Sequence, residues 1–254
     1  MQRSFSYTLL ITCFLLIASC KTNYVPTSFT THNISVSGNE SQLDSQIVQM
    51  YLPFKNILEK DMGRVISISD KEMFKQKPES YLTNFLADVL LFEAQTEVER
   101  SGLEIHPAIS YLNYGGIRTF LPEGEITVGK IFELMPFENE MVFLQFNGAH
   151  IQEFLDLIAA KGGDSVGGVK FVISNEKAKN IEINGKKLNT QQNYWLVTND
   201  YVADGGDGLS VFTQRNKLVK SGKKIRDLII KYLEQKHERG EIISIELDGR
   251  ISNE

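Results

Sequence analysis

Three short segments carry residue types from which a ligand site could be built. The first is Asn113-Tyr114-Gly115-Gly116-Ile117-Arg118, the second is Pro136-Phe137, and the third is NDYVADGGDG at residues 199–208. Asn offers hydrogen-bond donors and acceptors, whereas Arg carries a rigid fork of donors that matches carboxylate, phosphate or diol oxygens. Together the segments supply two aromatic faces, a guanidinium, a carboxylate and an amide. This inventory suits a flat polar ring with a diol nearby.

Two predicted strands lead into these segments. Residues 108–112 and 194–198 are rich in apolar and β-favouring residues, which predicts buried strands. The first strand runs into Asn113 and then the pair Gly115-Gly116, and glycines after a strand allow close approach of a ligand to the main chain. Without the other two segments, a simple tight turn would be the preferred interpretation of the glycine pair.

The rest of the chain predicts an α+β fold with layers of mixed sheet and helices, because strands and helices are mixed without regular βαβ alternation. Apolar residues at helical spacing predict helices at 43–58, 80–100, from 130, from 147 and around 225–232. Pro53 predicts a kink or a helix start. Further strands are expected at 65–68, 141–146, 168–174, 180–183 and 242–246. Asn84 and Asp88, one helical turn apart, either support the site loops or form a solvated or capping pair.

The three segments, in this order, resemble the C-terminal domain of the 5′-nucleotidase / UDP-sugar hydrolase family. The motifs are N-x-G-G-I-R, P-F and N-D-Y-x-A-x-G-G-D-G, and the similarity runs from about Ile47 to Ile251. In that family this domain binds the nucleoside part of a nucleotide. The resemblance implies that Phe137 and Tyr201 sandwich the base, with Tyr201 standing where Phe is common.

The resemblance also assigns the polar contacts and the loop glycines. It implies that Asn113, Arg118 and Asp207 bind the base and the ribose of a nucleoside or nucleotide ligand. The substrate-binding set is completed by the glycines of the same motifs, Gly115, Gly116 and Gly205. At the position of a further family arginine the sequence has Pro78, beside Lys77.

Residues for bond breaking are missing from the pattern. In the family, hydrolysis is performed by a separate N-terminal metallophosphatase domain with two metal ions, which needs several His and Asp ligands. The four histidines, His32, His106, His150 and His237, form no such motif. We therefore expect no catalytic residue, no metal site and no cofactor in this chain, and divalent metals only in a partner phosphatase domain.

Three functional alternatives follow. We expect a recognition domain that is inactive alone and acts with a separate metallophosphatase chain in nucleotide breakdown. A binding-only lipoprotein, for nucleoside scavenging or interaction, is the alternative, and an enzyme with an unrecognised site is the third. A calcium loop at Asp200, Asp204 and Asp207 is disfavoured, since their spacing does not fit an EF-hand. The net charge of −5 gives no reason to expect nucleic acid as a partner.

The N-terminus has the pattern of a bacterial lipoprotein signal. Arg3 precedes a short apolar run, and Ile17-Ala18-Ser19-Cys20 resembles a lipobox. We expect residues 1–19 to be a removed signal peptide, residues 20–40 to be a lipidated Cys20 with a flexible tether, and residues 41–254 to be the domain. The expected location is the bacterial cell envelope, lipid-anchored, facing the periplasm or at the outer membrane. An ordinary cleaved signal peptide is the alternative.

Overall fold

The structure is a computed structural model that describes residue 28, residues 30–33 and residues 44–254. The predicted signal peptide, Cys20 and most of the predicted tether lie outside the described residues. Residues 49–254 form one compact unit. The few residues described between 28 and 33 are irregular and exposed.

In the described part of the chain the helices are α1 (Ser45–Met62), α2 (Tyr81–Ser101), α3 (Val128–Leu134), α4 (Gly148–Ala160), α5 (Asp200–Ala203) and α6 (Ile225–Glu238). The strands are β1 (Val65–Ser69), β2 (Pro107–Leu112), β3 (Gly124–Thr127), β4 (Glu140–Asn147), β5 (Ser165–Gly167), β6 (Val169–Ser174), β7 (Lys177–Ile183), β8 (Lys186–Lys187), β9 (Asn193–Asn199), β10 (Lys217–Lys224) and β11 (Ile251–Asn253). Short 3₁₀ turns lie at Tyr114–Gly116, Gly206–Gly208 and Ser210–Gln214.

A five-stranded mixed sheet forms the centre, in the order β10-β4-β9-β2-β5. Only its β2–β9 pair is parallel. Side chains alternate across a strand, so Met141 and Phe143 of β4 enter one apolar core while Val142 and Leu144 enter a second core. The sheet is thus buried on both faces, which confirms the predicted α+β class with layered mixed sheet and helices.

The layers on the two faces differ. The first core takes the apolar sides of α2, α3 and α6, and the second takes α4 together with a four-stranded sheet, β11-β6-β7-β8. Local sequence signals set several boundaries as expected. Ser80 and Thr83 form a capping box at the start of α2, and Asn147 caps α4 through the amide of His150. Asn184-Gly185 makes the turn between β7 and β8.

The predicted strand at 242–246 is wrong. Only Ile243 pairs there, in an isolated bridge to Ser69, while the carbonyl of the nearby Ile245 accepts from the Lys71 ammonium instead of from a strand. The last strand is β11, which runs parallel to β6.

Pro53 starts no helix, since it lies inside α1. None of the residues of α1 is buried.

Neither prediction for Asn84 and Asp88 describes their contacts. Asn84 is buried and donates to the Glu79 carboxylate at 2.8 Å. Asp88 accepts two hydrogen bonds from Arg250, at 2.7 and 2.9 Å, and thereby ties α2 to the segment before β11. Phe92 of α2 is 49 % exposed and packs edge-on against Tyr232. Among the described helices, none combines the length and the apolar character that crossing a membrane requires.

Candidate functional site

The site lies at one edge of the central sheet, where three strand ends meet. β2 and β9 are parallel neighbours, so their carboxyl ends share an edge. β4 runs antiparallel to β9 and pairs Met141 with Asn199, so its first residues lie at the same edge. The segment after β2, the segment after β9 and the loop before β4 are therefore brought together, although they are far apart in the sequence.

These segments enclose a cleft of about 340 Å³. The predicted site residues that line it are Asn113, Gly115, Gly116, Arg118, Phe137, Tyr201 and Asp207. Gly205 lies outside the lining and contributes to the turn instead, with a φ of +91° that favours glycine. Asn139 lines the cleft but was not predicted, although it follows the P-F motif by two residues.

A chain of hydrogen bonds connects the first and third segments. The buried Asn199 side chain donates to the side-chain oxygen Oδ1 of Asn113 at 3.0 Å, and the side-chain nitrogen Nδ2 of Asn113 donates to the Asp207 carboxylate at 2.7 Å. The Tyr201 hydroxyl donates to the other carboxylate oxygen of Asp207 at 3.0 Å. Asp207 has a φ of +54°, so these bonds hold a residue that is not glycine in the left-handed region. Its carboxylate still has acceptor capacity for a ligand, because two oxygens offer about four lone-pair directions.

Asn199 was missed because its role depends on a partner 86 residues away. Its side-chain oxygen also accepts from the Val202 amide and caps α5.

Gly206 was not predicted as a site residue either, because its role depends on the position of the Tyr201 ring. A Cβ atom at Gly206 would come within 2.5 Å of the Tyr201 ring, so glycine at 206 leaves room for the ring.

Two half-exposed aromatic rings face the cleft. Phe137 is 46 % exposed and Tyr201 is 50 % exposed. Large apolar rings are usually buried, and rings left open in a cleft are typical of ligand contacts. The Arg118 guanidinium carbon lies 6.0 Å from the Phe137 ring centroid, and Arg118 donates to the Gly115 carbonyl at 3.1 Å. The guanidinium is thus placed between the first and second segments.

Three lysines near Pro78 lie beside the first and third segments: Lys75, Lys77 and Lys161. The Lys75 ammonium donates to the carbonyls of Tyr114 and Ile117, at 3.0 and 2.5 Å. Burial, and then the nearby Arg118 charge, lower the pKa of Lys75. Lys161 donates to the Asp207 carbonyl at 2.8 Å, and Lys77 donates to the Lys161 carbonyl. A cation therefore stands beside the position of the family arginine, but it contacts backbone carbonyls and does not line the cleft.

A buried acid lies beneath these lysines. Asp164 accepts from the Tyr111 hydroxyl at 3.0 Å and from the Ser165 amide at 2.8 Å. Burial raises the pKa of Asp164 to about 6, against the opposing effects of these hydrogen bonds and of Lys77 and Lys161. Burial also raises the pKa of Tyr111 well above its usual value, assisted by the Asp164 charge.

The cleft does not fit a metal centre. Within residues 44–254 and the few described before them, no three His, Cys, Asp or Glu side chains come together as a metal site needs. The carboxylate that does line the cleft, Asp207, is already engaged by an amide and a hydroxyl. The arrangement offers ring stacking, a guanidinium and a carboxylate acceptor, which can bind and orient a ligand.

Comparisons with known proteins agree on one family. The family described as "5'-nucleotidase, C-terminal domain" matches residues 62–214. The trifunctional nucleotide phosphoesterase protein YfkN of Bacillus subtilis is 31 % identical over 219 residues, which are 78 % of this chain and 14 % of that protein. A 5'-nucleotidase of Vibrio vulnificus is 28 % identical over 129 residues, 49 % of this chain and 23 % of that protein.

The solved structures show the same fold. The 5'-nucleotidase precursor from Thermus thermophilus aligns with a TM-score of 0.67 at 23 % sequence identity, over 81 % of this chain and 42 % of that chain. The NAD nucleotidase of Haemophilus influenzae aligns with a TM-score of 0.61 at 15 % identity, over 83 % of this chain and 42 % of that chain. The chain thus spans less than half the length of the relatives and structures that it matches.

Substituting Asp164 tests the buried acid. Because its pKa of about 6 in the folded chain lies above the unfolded value, its contribution to stability is greatest below about pH 4 and is lost as pH rises through 6. We expect Asp164→Asn to remove a decline of about 2 kcal/mol in the free energy of unfolding between pH 4.5 and 7.5, measured by urea titration. Asp227→Asn, an exposed acid on α6, is the control and should keep the wild-type profile. An unchanged profile in Asp164→Asn would contradict the assignment.

Proposed function

The chain belongs to the family of 5′-nucleotidase C-terminal domains, and we propose that it is the nucleotide-recognition part of a 5′-nucleotidase-type phosphohydrolase. The observation that carries the proposal is the single cleft shared by Phe137, Tyr201, Arg118 and Asp207. Its ligand would be a nucleoside or a nucleotide. The names of the relatives, a nucleotide phosphoesterase and a 5'-nucleotidase, favour the same ligand class.

Each group in the cleft has a task under this proposal. The rings of Phe137 and Tyr201 would stack on the base, which is worth about 0.5–1.5 kcal/mol for an aromatic pair beyond the burial of area. Asp207 would accept hydrogen bonds from ribose hydroxyls, and Arg118 would donate to ribose or base oxygens. The side-chain amide of Asn139, which lines the cleft, would meet a polar edge of the base.

Bond breaking is assigned to a separate metallophosphatase chain. Metal ions in such a partner would activate a water molecule and polarise the phosphate. This chain would hold the base and the ribose, so that the phosphate lies within reach of that water. The recognition chain would accordingly be inactive alone.

The proposed place of action is the cell envelope. The lipobox-like sequence Ile17-Ala18-Ser19-Cys20 supports acylation of Cys20 after removal of residues 1–19. An acyl anchor followed by a polar tether would hold the domain at a membrane surface, where nucleotides outside the cytoplasm are broken down.

The ligand class is tested by thermal unfolding of a soluble form beginning at Thr22, titrated with adenosine, AMP, UMP and UDP-glucose. A ligand at about 100 times its dissociation constant should stabilise the chain by about 2.7 kcal/mol. Arg118→Ala and Phe137→Ala should each abolish or strongly reduce the shift. Lys186→Ala, an exposed substitution on β8, should retain it. The absence of a shift in the wild type with all four compounds would count against nucleotide recognition by the chain alone.

The anchor is tested by cell fractionation of the full chain. We expect the wild type in the membrane fraction and Cys20→Ser in the soluble fraction, because the serine hydroxyl is not acylated in this pathway. Metabolic labelling with a radioactive fatty acid should mark the wild type alone. Labelling of Cys20→Ser would exclude Cys20 as the acylation site.

The partner is tested by purifying the tagged full chain from detergent-solubilised membranes of its native cells. We expect a co-purifying chain and release of phosphate from nucleotides that EDTA abolishes. The recombinant chain alone should release none. If the native chain purifies by itself and the preparation lacks this activity, the binding-only alternative is preferred.

A further inference from the structure

We propose that Arg226 is a positioning residue for the cleft, because it fixes the loop that carries Phe137 to the first turn of α6. The loop consists of residues 135–139, between α3 and β4, and has no regular secondary structure. It contributes Phe137 and Asn139 to the cleft. The effect on ligand affinity rests on the proposed function, whereas the effect on the loop does not.

The Arg226 side chain holds the loop on both sides of Phe137. It is only 6 % exposed, and its guanidinium donates to the Met135 carbonyl at 3.4 Å and to the Glu138 carboxylate. The guanidinium carbon lies 4.0 Å from the centroid of the Phe132 ring, at the end of α3. The rigid guanidinium therefore contacts Met135, two residues before Phe137, and Glu138, directly after it.

The residues next to Arg226 bind the same loop. The Ile225 amide donates to the Asn139 carbonyl at 3.0 Å, and the Lys224 ammonium donates to the Glu138 carbonyl at 2.6 Å. Three consecutive residues at the start of α6 thus bind positions 135, 138 and 139. The start of α6 is itself fixed by the core, where Ile225 is buried. The loop takes its position from a packed element.

Burial of a charge at this place needs a reason. An apolar side chain could fill the space beside Phe132 without the cost of removing a charge from water. Moreover, the Arg226 Nε has no hydrogen-bond acceptor among the described residues, which carries a cost. The Glu138 side chain is 67 % exposed, so it does not need a buried partner. Unlike an apolar side chain, an arginine can bond two acceptors of the loop and so fix their distance from α6.

The consequence concerns the stacking surface. Phe137 is half exposed, so its own contacts do little to hold it in place. A loop that is already ordered loses less conformational freedom when a ligand binds, and affinity increases accordingly. Arg226 therefore acts on a ligand through Phe137 and Asn139, without touching it.

The test combines hydrogen–deuterium exchange with ligand affinity in Arg226→Lys and Glu138→Gln. Lysine keeps the charge but lacks the fork, and Glu138→Gln alters the exposed partner alone. In both variants we expect the amides of Met135, Phe137, Glu138 and Asn139 to exchange faster, while α6 and the central strands keep their wild-type rates. Nucleoside affinity should fall by about fivefold or more in each variant, and the double variant should lose no more than the stronger single one.

A matched pair beyond the opposite end of α6 provides the control. Arg239 and Glu241 form an exposed ion pair at 2.6 Å, and Arg239→Lys and Glu241→Gln should leave loop exchange and affinity unchanged. Unchanged exchange of residues 135–139 in both Arg226→Lys and Glu138→Gln would overturn the proposal. Faster loop exchange in these two variants, together with a wild type that binds no nucleoside, would support Arg226 and refute nucleotide recognition, so the two failures are distinguishable.

Discussion

The pairing of β9 with a parallel neighbour on one side and an antiparallel neighbour on the other is the constraint on which the site depends. Parallel pairing brings the ends of β2 and β9 to one edge of the sheet, and antiparallel pairing brings the start of β4 to that same edge. Each site segment is attached to one of these three strands. The strands are buried on both faces, so their ends are held by two cores rather than by the loops themselves. The cleft is therefore a property of the sheet topology.

Signals confined to neighbouring residues predicted much of the fold. The starts of α2 and α4 were predicted at Ser80 and Asn147, whose side chains bond an amide three residues further along the chain. The apolar run at residues 141–146 predicted β4, and the order of the motifs predicted the three site segments. Contacts between residues far apart in the chain could not be predicted from the sequence. The Asp88–Arg250 pair joins positions 162 residues apart, and nothing near Asp88 in the sequence indicates its partner.

The same distinction explains the errors at the site. Residues 242–246 alternate in the manner of a strand. A strand also needs a partner strand with free backbone groups along its length, and here only Ile243 pairs with one, at Ser69. Asn199 opens the third motif and Asn139 lies two residues after the P-F motif, but neighbouring residues do not show which groups either side chain meets. Their roles arise because the topology places one in the cleft and the other under Asn113. Residue types predicted which groups could bind a ligand, whereas the register of distant strands decided which of them meet.

Under the proposed function, Tyr201 would join base stacking and polar recognition in one side chain. A phenylalanine could present the same ring, but only tyrosine can also donate to Asp207. The Asp207 amide in turn donates to the Tyr201 hydroxyl at 3.3 Å, so the ring, the turn and the carboxylate constrain one another. Asn113 holds the opposite carboxylate oxygen from the other segment. Both carboxylate oxygens are oriented in the folded chain without a ligand. The conformational entropy lost on ordering Asp207 is therefore part of the free energy of folding and would not weaken the free energy of binding.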